Sequence, residues 1–218
     1  DRHLARIEEA LGVHILRRGN QIAVVGGPLV AGHGDGRGLG WVGRVTARTL
    51  PSLPGMRVYP LAVGHEDSAG LHSRAMSEAA LRFSDGADNR LVLALGSGDL
   101  DTGRSVARAR LDVANVLDEA LARKVSAFVI GPPPDHGTDR NRAIAELNTS
   151  FSDVAKRRGI PYVDTYTPLL GHPVWQRELA SSHDRLPAQE GYGLLAWLVL
   201  HRGWFPWLGV RDVLGDDG

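Results

Sequence analysis

Short apolar runs rich in β-branched residues alternate with longer segments of helical periodicity over most of this chain. The short runs are the predicted strands, at residues 22–25, 57–63, 90–95, 127–130 and 161–163. The predicted helices between them cover residues 41–50, 68–83, 102–123 and 139–158. Strands that are apolar on both faces and separated by such helices form parallel sheets covered on both sides. We therefore predict an α/β fold, a three-layer α/β/α sandwich with a five-stranded parallel sheet.

Glycines mark the point where each of the first four predicted strands ends. The loops begin at Gly26, Gly64, Gly96 and Gly131. Ligands of open parallel sheets bind beyond the carboxyl ends of the strands. We therefore expect the functional site among these loops.

The composition excludes several classes of protein. The chain has 218 residues, of which 43% are hydrophobic, and this suffices for one folded domain. Its 25 basic and 25 acidic side chains balance, so we expect no nucleic-acid partner. Cysteine is absent, which rules out thiol catalysis and thiolate metal sites. The longest apolar run, 194–200, is far shorter than the roughly 20 residues of a membrane span, so none is expected.

Both ends of the chain are expected to lie outside the main domain. Helical periodicity near the start, followed by apolar residues 13–16 and 21–25 around a turn-like tetrad, predicts a helix and a hairpin. We assign residues 1–20 to an N-terminal helix-hairpin extension, 21–210 to the main domain and 211–218 to a tail. The first 25 residues also resemble the helix-hairpin element that opens PhoH-like ATPases. The sequence starts at Asp1 without an apolar leader, so we expect a cytoplasmic location.

Two further segments have alternative interpretations. The glycine-rich stretch 32–40 fits neither common phosphate-loop spacing and has no lysine. We predict a solvent-facing loop that opens the helix at Trp41, with phosphate binding as the alternative. The aromatic segment from Trp197 to Trp207 is predicted to pack a last helix and the chain end onto the sheet, with Trp197 on the packed side. Its alternative is a lipid or partner platform.

Four segments at the predicted loops resemble the sequence blocks of the GDSL, or SGNH, esterase and lipase family. They are VVGGPLVAG (24–32) followed by GLGW (38–41), LAVGH (61–65), LGSGD (95–99) and HDRLP (183–187). The run GPPP (131–134) follows the fourth predicted strand. The resemblance extends over about residues 22–208. It implies the SGNH-hydrolase, flavodoxin-like form of the predicted sandwich.

The resemblance also implies an ester-hydrolase site, although this chain departs from it at each catalytic position. The family uses a serine nucleophile, glycine and asparagine amides that stabilise the oxyanion, and an Asp-x-x-His pair. In place of the serine, glycine, asparagine, aspartate and histidine, this chain has, in that order, Pro28, His65, Gly98, His183 and Leu186.

These substitutions predict that the chain is a degenerate pseudo-hydrolase. Proline cannot attack an acyl carbon and leucine cannot transfer a proton. Loss of the nucleophile or base of a serine hydrolase lowers turnover on the order of a millionfold. The backbone amides of His65 and Gly98 remain available to bind an anion. We therefore expect binding of an acyl-ester, carbohydrate or similar small molecule, or of a protein partner, without turnover and with no cofactor.

A relocated serine is the first way in which such a chain would remain an active esterase. Two serines follow predicted strands, and histidines and aspartates stand in the same loops. The candidates are Ser68 and Ser97, with His65 or His183 as base and Asp99 or Asp184 as orienting acid. Ser68 directly precedes a helical pattern, which is more typical of a helix cap.

A bound metal ion is the second way in which such a chain would remain an active hydrolase. Three histidine or carboxylate ligands hold zinc or manganese with one position open for water. The candidate ligands are His33, His65, Asp99 and His183. No close ligand pair such as H-E-x-x-H supports this alternative.

Overall fold

Five parallel strands form a single sheet in the computed structural model, which describes residues 19–215. The strands are β1 Gln21–Gly26, β2 Arg57–Ala62, β3 Asn89–Ala94, β4 Ser126–Ile130 and β5 Tyr162–Val163. Their spatial order is β2-β1-β3-β4-β5. The predicted α/β class and the five-stranded parallel sheet are confirmed.

Strand β1 occupies an interior position of the sheet. It pairs in parallel with β2 on one side and with β3 on the other. Both edges of β1 are therefore occupied, and residues 21–25 do not form one arm of the predicted hairpin. The rest of the predicted N-terminal extension, residues 1–18, lies outside the described part of the chain.

The helices follow the predicted alternation with the strands. They are α1 Pro28–Ala31, α2 Gly40–Thr49, α3 Ser68–Ala80, α4 Gly98–Asp101, α5 Val106–Ala122, α6 Thr138–Arg157, α7 Tyr166–Leu169, α8 Pro173–Ala180, α9 Gln189–Val199 and α10 Phe205–Leu208. The four long predicted helices are confirmed, but α5 begins later than residue 102. The hydroxyl of Ser105 accepts a hydrogen bond from the amide of Arg108 and so caps α5 there. No helix in residues 19–215 is long and apolar enough to cross a membrane.

Two apolar cores lie on opposite faces of the sheet. In β1 the side chains of Ile22 and Val24 enter one core, and those of Ala23 and Val25 enter the other. Side chains from α2, α8 and α9 complete the first core. Side chains from α3, α5 and α6 complete the second. Successive side chains of a strand point to opposite faces of the sheet, so both faces are apolar. Each face is buried by its own layer of helices, and this produces the three layers.

The C-terminal aromatic segment packs largely as predicted, with one exception. Trp204 is buried against Phe128, with ring centroids 5.5 Å apart, and its indole nitrogen donates to Thr49 Oγ1 at 2.9 Å. Trp197 is 55% exposed and stacks on His201, so its predicted place on the packed side is wrong. Successive helical residues are about 100° apart, and the buried neighbours Leu195 and Val199 turn Trp197 outward.

The glycine-rich loop before α2 is organised around a buried aspartate. The carboxylate of Asp35 accepts hydrogen bonds from the amides of Arg37 (3.0 Å) and Gly40 (2.9 Å) and forms an ion pair with Arg44. Amides of this kind are what a phosphate loop offers its ligand. The hydrogen bond from Arg44 lowers the pKa of Asp35 to about 2. The carboxylate of Asp35 therefore already occupies the amides of Arg37 and Gly40, which a phosphate group would otherwise bind.

Replacement of Asp35 by asparagine is expected to remove a pH-dependent part of the folding free energy. The folded pKa of Asp35 is below its usual value, so its contribution is complete above about pH 4 and is lost as pH falls toward 2. We expect Asp35→Asn to lower the free energy of unfolding by about 2 kcal/mol at pH 6 and much less at pH 2. Urea unfolding at both pH values measures this. The exposed Glu146→Gln serves as the control, and equal losses at both pH values would contradict the assignment.

Candidate functional site

A cavity of about 670 Å³ opens at the carboxyl ends of the strands. The loops after β1, β2, β3 and β4 line it, together with the segment between α8 and α9. The paired strands end level with one another, with Gly26 opposite both Ala62 and Ala94. The loops therefore begin at nearly the same height.

Most of the predicted site residues lie around this cavity. The ones that line it are Pro28, His33, His65, Ser97, Gly98, His183, Asp184 and Leu186. Ser68 and Asp99 do not contribute to the lining. The fold thus brings together loops that are far apart in sequence, and it separates the two serine candidates.

Pro28 occupies the position where the resemblance implies a nucleophile. It is the first residue of α1 and follows Gly27, whose backbone is extended. Proline suits the first turn of a helix because the amide at that position has no partner within the helix. Local structure therefore favours proline here, and the side chain lining the cavity carries no reactive group.

Gly98 occupies the position where the resemblance implies an asparagine. A Cβ atom at Gly98 would lie 2.7 Å from the carbonyl carbon of Glu66 and closer still to the carbonyl oxygen. The backbone after β2 therefore fills the space that a side chain at Gly98 would need. The close approach of these two loops is a tertiary feature that sequence reasoning missed.

Ser68 is sealed beneath the site. Its hydroxyl donates to Asp99 Oδ1 at 2.6 Å, and its amide donates to the same oxygen at 3.1 Å. Ser68 is only 1% exposed, and burial raises the pKa of Asp99. The capping role expected of Ser68 belongs to Asp67, whose side chain accepts a hydrogen bond from the amide of Gly70. Ser68 is instead the first residue of α3.

Ser97 lines the cavity, but its hydroxyl partner is a guanidinium group. Arg140 Nη2 donates to Ser97 Oγ at 3.1 Å. Within residues 19–215, no serine hydroxyl forms a hydrogen bond with a histidine ring. The relocated serine-histidine pair is therefore not assembled in this conformation.

The candidate metal ligands are only partly brought together. His33, His65 and His183 line the cavity, whereas Asp99 faces Ser68. In the described part of the chain, no group of three or more histidine, aspartate or glutamate side chains is arranged to hold a metal ion.

A charged group at the cavity, which we call the rim cluster, consists of Arg140, Arg185, Asp101 and Asp135. Arg140 forms ion pairs with Asp101 at 2.9 Å and with Asp135 at 2.5 Å. Arg185 lies 3.5 Å from Asp135 and 3.9 Å from Asp101. The rim cluster was not predicted, although Asp135 directly follows the GPPP run after the fourth strand and was a readable signal.

A buried ion pair fixes the loop that approaches Gly98. Arg74 Nε and Nη2 donate to the two carboxylate oxygens of Glu66, whose side chain is 3% exposed. Arg74 Nη2 also donates to the carbonyl oxygens of Gly26 at 3.2 Å and Leu61 at 3.1 Å. Burial raises the pKa of Glu66. One guanidinium thus ties the loop after β2 to the backbones of β1 and β2.

Comparison with known proteins identifies the family. The sequence model of the GDSL-like lipase/acylhydrolase family matches residues 24–194. The fold is similar to that of a lipase/acylhydrolase from Enterococcus faecalis, with 21% identity and a TM-score of 0.70 over 88% of this chain and 98% of that chain. It is also similar to that of Axe2, an acetylxylan esterase from Geobacillus stearothermophilus, with 16% identity and a TM-score of 0.69 over 90% of this chain and all of that chain. No curated protein sequence matches this one. The match to the family model covers most of the chain, which therefore belongs to the GDSL-like lipase/acylhydrolase family.

Proposed function

We propose that this family member is a pseudo-hydrolase that binds an acyl ester or a similar small molecule in the cavity without hydrolysing it. The observation that carries the proposal is the presence of Pro28 and Leu186 in the cavity lining. At these positions the resemblance implies the nucleophile and the base. Neither side chain can attack an acyl carbon or move a proton.

The packing around Gly98 supports the same proposal. In acyl transfer, donors placed where the oxyanion develops supply a large part of the rate enhancement. The backbone of Glu66 stands where a side-chain amide at residue 98 would begin. The side-chain donor is thus absent and its space is filled.

The remaining lining suits an acyl group. The apolar side chains that line the cavity and are partly exposed are those of Pro28, Leu29, Pro133 and Leu186. Apolar surfaces of this kind bind aliphatic chains by removing them from water. The residues present in the cavity therefore suffice for binding an acyl group.

Hydrolysis of p-nitrophenyl acetate and p-nitrophenyl butyrate by the purified protein tests the proposal. We expect no turnover above the buffer rate, with or without added zinc or manganese, because loss of the nucleophile or base lowers turnover on the order of a millionfold. The His65→Ala/His183→Ala double variant is the matched control. Turnover that disappears in the double variant would contradict the proposal and favour an active esterase built on Ser97 or a metal.

A further inference from the structure

Two residues of the cavity lining have an unusual backbone conformation. His65 (φ 53°) and Arg185 (φ 55°) lie in the left-handed region, and both line the cavity. Lys124 (φ 58°) is the only other non-glycine residue in residues 19–215 with a positive φ. This region disfavours residues with a Cβ atom and suits glycine. Neither cavity position carries the glycine that the backbone would favour.

The side chains of these residues contribute few contacts to the fold. Neither His65 nor Arg185 forms a side-chain hydrogen bond to another described residue. Arg185 is 54% exposed and has only the two long ion pairs of the rim cluster. Strained residues that do not support the fold are concentrated at functional sites. The fold therefore does not explain why His65 and Arg185 replace glycine, and contact with a ligand does.

We infer that His65 and Arg185 are specificity-determining ligand contacts, and that they bind a neutral, polyhydroxylated head group on the ligand of this cavity. The inference rests on the proposed function, because it names the ligand class of the same binding site. The chemistry is that of an amphiphile with an aliphatic part and a sugar-like or other polyol part.

The charge balance of the rim cluster favours a neutral head group. Two guanidinium groups face two carboxylates, so an anionic ligand meets Asp101 and Asp135 as well as the arginines. A cationic ligand meets Arg140 and Arg185 as well as the carboxylates. Hydroxyl groups both donate and accept, so they bind carboxylates and guanidinium groups at once. Asp184 at the cavity provides a further acceptor for hydroxyl groups and disfavours an anion.

The apolar side of the cavity fixes the other half of the ligand. Leu29, Pro133 and Leu186 are partly exposed and line the same space as His65 and Arg185. Apolar pockets with a few polar groups at one end orient an amphiphilic ligand. The tail is expected against these apolar side chains, and the polyol at His65 and the rim cluster.

Glycine substitutions separate ligand contact from folding. We expect His65→Gly and Arg185→Gly each to raise Tm by about 1–4 °C, because glycine relieves the strained φ. Lys124→Gly is the matched control, since Lys124 precedes β4 at the opposite end of the sheet from the cavity. It should raise Tm similarly. A fall in Tm for both cavity variants would contradict the assignment of strain.

Calorimetric titration with three probes of equal tail length then tests the head group. The probes are n-octyl β-D-glucoside below its micelle concentration, octanoate and 1-octanol. We expect octyl glucoside to bind most tightly. His65→Gly and Arg185→Gly should weaken octyl glucoside by about threefold to tenfold, as expected for one lost hydrogen bond each. Binding of 1-octanol should stay unchanged, and Lys124→Gly should bind all probes as the wild type does.

The outcomes distinguish this inference from the proposed function. If none of the probes binds the wild-type protein, the inference fails, and the proposed function fails with it if p-nitrophenyl butyrate does not bind either. If the probes bind but the two cavity variants keep wild-type affinity for octyl glucoside, only the inference fails. Tighter binding of octanoate than of octyl glucoside would overturn the neutral head group. Partial recovery of octyl glucoside affinity in His65→Asn would support it, because asparagine tolerates the left-handed conformation and retains a polar side chain.

Discussion

Gly98→Ala is expected to destabilise the protein by about 3 kcal/mol or more, because the added methyl group meets backbone atoms that cannot rotate away. The atoms are the carbonyl group of Glu66 and the amide nitrogen of Asp67. Overpacking against a flexible side chain relaxes, whereas here two whole loops must separate. Urea unfolding measures the loss.

Gly96→Ala is the matched control for this prediction. Gly96 lies two positions earlier in the same loop, and a Cβ atom there would have no heavy atom within 4 Å. Its unfolding free energy should stay within about 1 kcal/mol of the wild type. If Gly98→Ala were as stable as Gly96→Ala, the filled space next to Gly98 would be disproved. The larger Gly98→Asn, which restores the side chain implied by the resemblance, should be less stable than Gly98→Ala.

Arg74→Met is expected to cost about 3–5 kcal/mol of unfolding free energy, because it leaves the buried carboxylate of Glu66 without its partner. It also removes the donor shared by the carbonyl oxygens of Gly26 and Leu61. In this variant the folded pKa of Glu66 rises further above the unfolded value. Folded protein then binds more protons than unfolded protein, so the stability of the variant should increase as pH falls toward the unfolded pKa.

Two further variants separate the charge effect from the loss of packing. Glu66→Gln/Arg74→Met removes both charges and should recover part of the lost stability. Arg82→Met, just after α3, removes an arginine whose described hydrogen bond is a single 3.4 Å contact with the carbonyl of Glu78, and should cost under about 0.5 kcal/mol. Equal losses for Arg74→Met and Arg82→Met would contradict the role given to the Glu66 pair.

Local patterns in the sequence were sufficient to predict the sheet and the loops that line the cavity. Short runs of β-branched residues predict the strands, and the glycine after each of the first four runs marks where a loop begins. Pro28, His65 and Leu186 could therefore be placed at the cavity from their order along the chain. Trp197 was misplaced because every residue near it is apolar, so the run itself does not show which face packs.

Features that depend on contact between distant loops could not be predicted. The approach of Glu66 to Gly98 depends on how two loops meet, and neither loop has a sequence signal for it. The partner of Asp99 is a serine thirty-one positions away, and Arg140 reaches the rim cluster from the first turn of α6. The tertiary fold determines the partners of these side chains, and the local sequence carries no signal for them.

The most direct test of binding without hydrolysis is isothermal titration calorimetry of the wild-type protein with p-nitrophenyl butyrate. One trace reports both binding and turnover. If the cavity binds the ester without hydrolysing it, each injection gives a saturable binding heat, a return to the baseline of buffer hydrolysis and no additional p-nitrophenol. A sustained heat of reaction above the buffer rate would show that the cavity hydrolyses the ester. The absence of any binding heat at two well-separated temperatures would show that the cavity does not bind it, because apolar burial changes the heat capacity. Either result would contradict a binding site that has lost its chemistry.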